Sequence, residues 1–131
     1  MEWYRGKVLD PLVDGVTVQI KGQRFVIPEF QGLTYERAIP HFNELQKAVD
    51  VKGPDGIVIQ PGDQMVAMRA RRMIATIILG INYPEITADQ VGTYCKLEDI
   101  NAVIEAAAEA RRLASGDAGE VLAGAEKPAL N

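Results

Sequence analysis

Between Ile27 and Tyr35 the apolar residues of this chain change period, and that change constrains the fold more than any other feature. Val16-Thr17-Val18-Gln19-Ile20 alternates β-branched apolar residues with polar ones, the period-2 pattern of a half-buried strand. Lys21-Gly22-Gln23 follows as a short turn, with a glycine free to take positive φ. Arg24-Phe25-Val26-Ile27 is the return strand, stopped by Pro28. From Tyr35 onward the period is helical. Strands followed by a run of helices predict an α+β fold, mainly α-helical, with an N-terminal β-hairpin and about four helices. A lone hairpin is marginal in water, so this one must dock on the helices. Upstream, Val8-Leu9 and Leu12-Val13 flank Asp10-Pro11, and Asp14-Gly15 marks a turn; this opening adds a strand or lies on the surface.

The first helix is expected over residues 35–49, with Thr34 as its N-cap. Ile39, Phe42, Leu45 and Val49 recur at helical spacing, and Arg37, Glu44 and Lys47 face away. Pro40 either kinks this helix or moves its start to about Ile39. Residues 51–55, with Gly53-Pro54, suggest a loop, and Ile57-Val58-Ile59 a short extended piece before Pro61. A second helix is expected over residues 62–79, with Asp63 at the positive end of its dipole and Gly80 as its C-terminal stop. Its apolar face is Val66, Ala70, Met73, Ile74 and Ile77, widened by Met65, Met68 and Ile78. Arg69, Arg72 and Thr76 form the polar stripe. Asn82-Tyr83-Pro84 breaks the chain. Thr87 and Gln90 have capping-box spacing and open a short third helix to about Cys95. The fourth spans residues 97–114, with Ile100, Val103, Ile104, Ala107 and Ala110 inward. Glu98 and Asp99 at its start and Arg111 and Arg112 at its end suit the macrodipole, and Ser115-Gly116 stops it. Residues 1–115 therefore form one compact domain, in keeping with a length of 131 residues. Residues 116–131 are Ala, Gly, Glu and Pro with Val121-Leu122 as the internal bulky pair, the composition of a flexible tail.

Little in the chain points to bond-making chemistry. The formal charge of −4 argues against nucleic acid or an anionic membrane as the main partner. Met1-Glu2-Trp3-Tyr4-Arg5 lacks the apolar stretch of a signal peptide. The longest nearly apolar run, residues 73–81, is about nine residues, and a bilayer needs roughly twenty. A single cysteine, Cys95, fits a reducing compartment. A cytoplasmic, non-membrane protein is the expectation. His41 is the sole histidine and has no orienting motif, so it is read as a structural residue rather than a general base. Cys95 has no ligand pattern around it and is read as a small core residue. The aspartates match no calcium loop, and the glycines fit neither a phosphate-binding loop nor a dinucleotide fingerprint. The chain is thus expected to be no enzyme, with no catalytic residue, metal or cofactor. Arg69, Arg71 and Arg72 are read as a solvated stripe with packed stems. The third and fourth helices resemble a helix-turn-helix regulator in outline, but Glu98, Asp99, Glu105 and Glu109 would repel phosphates.

The order of elements resembles the tail assembly chaperones of long-tailed, siphovirus-like bacteriophages. The residues that carry the resemblance are Val18-Gln19-Ile20-Lys21-Gly22-Gln23-Arg24-Phe25-Val26-Ile27-Pro28, then Leu33-Thr34 opening a helix. Tyr83-Pro84-Glu85-Ile86-Thr87 and a short helix follow, then Leu97-Glu98-Asp99-Ile100 opening a helix with Val103-Ile104-Glu105-Ala106. It covers residues 16–114 and is a pattern of apolar and turn positions. The resemblance implies a non-enzymatic protein that binds the tape measure protein and brings tail tube subunits to it. Such a protein works in the cytoplasm of the infected bacterium and is absent from the mature virion. A longer frameshifted product is common in the family, and a homo-oligomer is compatible with the pattern. Partner contacts are expected at Met65, Met68, Arg69, Arg72, Ile81 and Tyr83, since exposed methionines adapt to varied partners. The alternatives are a structural head–tail connector or other virion component, and a small helix-turn-helix regulator.

Overall fold

The computed structural model describes residues 3–7 and 15–114. The chain is α+β and mainly helical: a hairpin of β1 (Val16–Ile20) and β2 (Gln23–Ile27), then α1 (Gly32–Lys47), a small hairpin of β3 (Val51–Lys52) and β4 (Val58–Gln60), then α2 (Gln64–Asn82), α3 (Ala88–Tyr94) and α4 (Leu97–Ala114). Each pair of strands is antiparallel and forms its own two-stranded sheet. The expectations for residues 8–14 and for a tail over residues 116–131 lie outside the described residues.

The first hairpin turns on two residues with positive φ, Lys21 at 51° and Gly22 at 80°. That is the turn whose twist matches two paired strands. Ile20 pairs with Gln23 and Val18 with Phe25, so Ile20, Phe25 and Ile27 share the face that is fully buried. The side chain of Gln23 binds the N-terminal segment. Its Oε1 accepts from the backbone N–H of Trp3 (3.1 Å) and Tyr4 (3.3 Å), and its Nε2 donates to the Tyr4 carbonyl (2.9 Å). Trp3 and Tyr4 thereby reach an aromatic cluster with Phe25, Tyr83 and Tyr94, in which Phe25 and Tyr83 meet edge-on at 5.0 Å.

Helix α2 is central, packed against α1, α3, α4 and β2. Its buried residues include Ala67, Ala70 and Ala75, whose small side chains let neighbouring helices approach closely, and Ile74, Ile78 and Leu79, which fill the core between them. The buried face therefore differs from the expected one. Ala70, Ile74 and Ile78 lie inside as expected, while Met65 is 84% and Met68 44% exposed.

Five further expectations need correction. Thr34 does not cap α1, which starts earlier, at Gly32, with Gln31 as an N-cap that makes no side-chain bond. Pro40 does not set the start either. The helix runs through it, and the carbonyl of Glu36, left without the usual donor, belongs to an exposed residue and can be solvated. The inward residues of α1 are Ala38, Phe42 and Leu45, and Ile39 and Val49 are exposed. Gly80 does not end α2, which continues to Asn82 with Tyr83 as its C-cap. The loop expected over residues 51–55 supplies β3, paired with β4 across a turn in which the Gly53 N–H donates to the Ile57 carbonyl (2.9 Å).

Candidate functional site: an apolar groove between α2, α3 and α4

Asp63 positions the site by starting α2. Its carboxylate accepts from the backbone N–H of Met65 and Val66, each at 3.1 Å, which satisfies two of the free donors at the helix N-terminus. Thr87 and Gln90 close the expected capping box at the start of α3: the Gln90 N–H donates to Thr87 Oγ1 (3.1 Å) and the Thr87 N–H to Gln90 Oε1 (3.0 Å). Asp99 accepts from the Lys96 N–H (2.9 Å) where α4 begins. The bonds of Asp63 and Asp99 fix two helix starts beside the groove, and the capping box fixes the start of α3, whose other end reaches it at Gly92 and Cys95.

The groove has a volume of about 660 Å³. Residues 63–66 with Met68, Arg69 and Arg72 form one wall, and Gly92, Cys95, Leu97 and Ile100 form the other. Ile100 is buried, whereas Leu97 is 40% exposed opposite the two exposed methionines. Burial pushes the half-buried Cys95 thiol up to about 11; the Asp99 charge adds to this and Lys21 works against it. A thiol held neutral is one more apolar group in the lining. Arg72 is half-buried, and its Nε is a buried donor with no hydrogen-bond partner. Gly92 gives this side chain room: a Cβ there would lie 3.2 Å from Arg72 Cδ and Nη1.

Four of the six residues expected to meet a partner line this groove: Met65, Met68, Arg69 and Arg72. The other two do not. Ile81 and Tyr83 lie at the opposite end of α2, about 24 Å and about 27 Å from Met65 by helix rise. Tyr83 is buried, 6% exposed, and its hydroxyl oxygen accepts from the Val26 N–H (2.8 Å), so it is a structural residue. Leu97, Ile100, Cys95 and Gly92 were not expected at the site. Leu97 and Ile100 carry only the sequence signal of a helix start and a core position, and nothing local places them opposite Met65. His41 is half-buried on α1, outside the groove. Among the described residues no group of three His, Cys, Asp or Glu could hold a metal ion, and no helix is long and apolar enough to cross a membrane.

No family model, curated protein or solved structure matches the chain.

Proposed function

We propose that this chain is a tail assembly chaperone of a long-tailed bacteriophage. It holds an aggregation-prone segment of the tape measure protein in the groove between α2, α3 and α4 and helps bring tail tube subunits to it. The role is non-enzymatic, belongs to the cytoplasm of the infected bacterium and leaves the protein out of the finished particle. The observation that supports this reading is an open groove rimmed by Met65, Met68 and Leu97 on a folded helical core. Methionine is unbranched and polarizable, so a methionine rim can shape itself to different apolar side chains. A groove between helices is a common seat for the apolar face of a partner segment.

Co-expression with the tape measure protein of the same genome tests the reading. The expected result is a soluble partner that co-purifies with this chain. Met68→Lys places a charge in the apolar seat and should weaken capture at least about tenfold. Because Met68 is 44% exposed, the fold should change in stability by no more than about 0.5 kcal/mol. A partner that stays insoluble beside a folded chain would sink the proposal. So would finding the chain in purified virions, which would favour a head–tail connector.

A further inference from the structure

The groove carries a charge that its own residues leave uncompensated. Its one lining anion, Asp63, is spent on the α2 N-terminus, and Asp99, near enough to act on Cys95, accepts from the Lys96 N–H at the start of α4. Arg69 and Arg72 stand three residues apart, on one face of α2, and neither is in an ion pair with a described residue. The buried Nε of Arg72 has no acceptor. Leaving a buried donor of a charged group unsatisfied shows that the fold supplies this guanidinium with too few acceptors, and a carboxylate that reaches its other nitrogens forms a strong, charge-assisted bond. This local surplus stands against a chain whose formal charge is −4.

We infer that the groove takes an amphipathic helix of a partner protein bearing an acidic residue beside its apolar stripe, the carboxylate seating on Arg72 and Arg69. The inference deepens the functional proposal and rests on the groove being the working site. A helix fits better than a strand for a physical reason. The walls are helices and the cap residues beside them, with no strand among the lining residues, so an extended segment would find no sheet edge to pair with, whereas a helix brings its backbone already satisfied. The wall from Asp63 to Arg72 is about 14 Å long, or two and a half turns, which admits apolar anchors at i, i+3 or i+4, and i+7. Met65, Met68 and Leu97 receive the anchors, and the acid lies toward Arg72. Gly92 keeps Arg72 there, because the arginine lies across the space a side chain would fill.

The test is selection on the folded chain from a displayed library of amphipathic helices about four turns long, apolar positions fixed and the rest randomised. Enrichment of Asp or Glu at positions flanking the apolar stripe is expected. Replacing that residue with Gln in the selected peptide should weaken binding about tenfold, the scale of one charge-assisted bond. Arg72→Met should abolish this preference for Glu over Gln while apolar binding persists. Gly92→Ala keeps every charge and should reduce the preference by displacing the arginine, so a failure of Arg72→Met to fold does not end the test. No binders, binders without acidic enrichment, a Glu preference unchanged in both variants, or a groove filled by a second copy of the chain would each overturn the inference. Running the tape measure pull-down alongside separates the two claims. Acid preference without capture of that protein leaves the groove chemistry standing and removes the function. Capture that is indifferent to Arg69 and Arg72 does the reverse.

Discussion

At the scale of single residues, the environment decides more than identity. Cys95 and Tyr83 are both groups with polar chemistry set among apolar neighbours, and their surroundings turn both into structural parts. The Cys95 thiol, pushed to about 11 by burial, is almost entirely neutral at pH 8. Its reaction with iodoacetamide should therefore run about a hundredfold slower than that of a free thiol, whose pKa is about 8.5. The sign follows from burial, which penalises the thiolate and raises the pKa, so the rate should climb as pH rises toward 11. A rate at pH 8 matching that of the denatured chain would show that the groove floor is open to water. Because Cys95 lines the groove, a seated partner should slow the reaction further. Arg72 shows the opposite case. A position read as a solvated stripe holds a buried donor, because the α3 backbone at Gly92 comes close enough to enclose the side chain.

At the scale of elements, two threonines with the same capping preference behave differently. Thr87 caps α3 because Gln90, three residues on, returns a bond to its backbone. The corresponding residue after Thr34 is Arg37, whose guanidinium can only donate, so the reciprocal bond cannot form. Helix α1 begins instead at Gly32. Gly80 likewise carries a local signal that packing overrides. The helix continues past it because Asn82 and Tyr83 are anchored on β2. A Cβ at Gly80 would meet nothing within 4 Å. Gly80→Ala should therefore raise stability by about 0.5–1 kcal/mol, through reduced backbone entropy in the unfolded chain, read as a higher urea midpoint with an unchanged slope. A loss of stability would mean that Gly80 serves a close contact.

At the scale of the whole molecule, the end of α2 joins the helices to the hairpin. The register puts Val26 opposite Thr17, at a position whose backbone groups point away from β1. Both are met from α2: the Val26 N–H donates to the Tyr83 hydroxyl (2.8 Å), and Asn82 Nδ2 donates to the Val26 carbonyl (3.0 Å). Two side chains thus occupy the place of a third strand and cover this part of the sheet edge. Tyr83→Phe keeps the ring in the aromatic cluster and removes one acceptor, so it should cost about 1–2 kcal/mol by urea denaturation. A variant as stable as the parent would mean that Val26 finds another partner. Much of this architecture was legible in the chain. The strand alternation of residues 16–27, the turn after Ile20 (read as Lys21-Gly22-Gln23, one residue too long, since Gln23 pairs with Ile20), the capping box at Thr87 and the inward face of α4 depend on residues a few positions apart, and local order alone determines them. The start of α1, the length of α2 and the exposure of Met65 and Met68 were not legible. An apolar helix can be covered on any side, and only the arrival of α1, α4 and β2 decided that Ala67, Ala75 and Leu79 would be enclosed and the methionines left open. The groove has the same origin. Met65 and Leu97 are far apart in sequence, and no local pattern records that folding brings them to opposite walls.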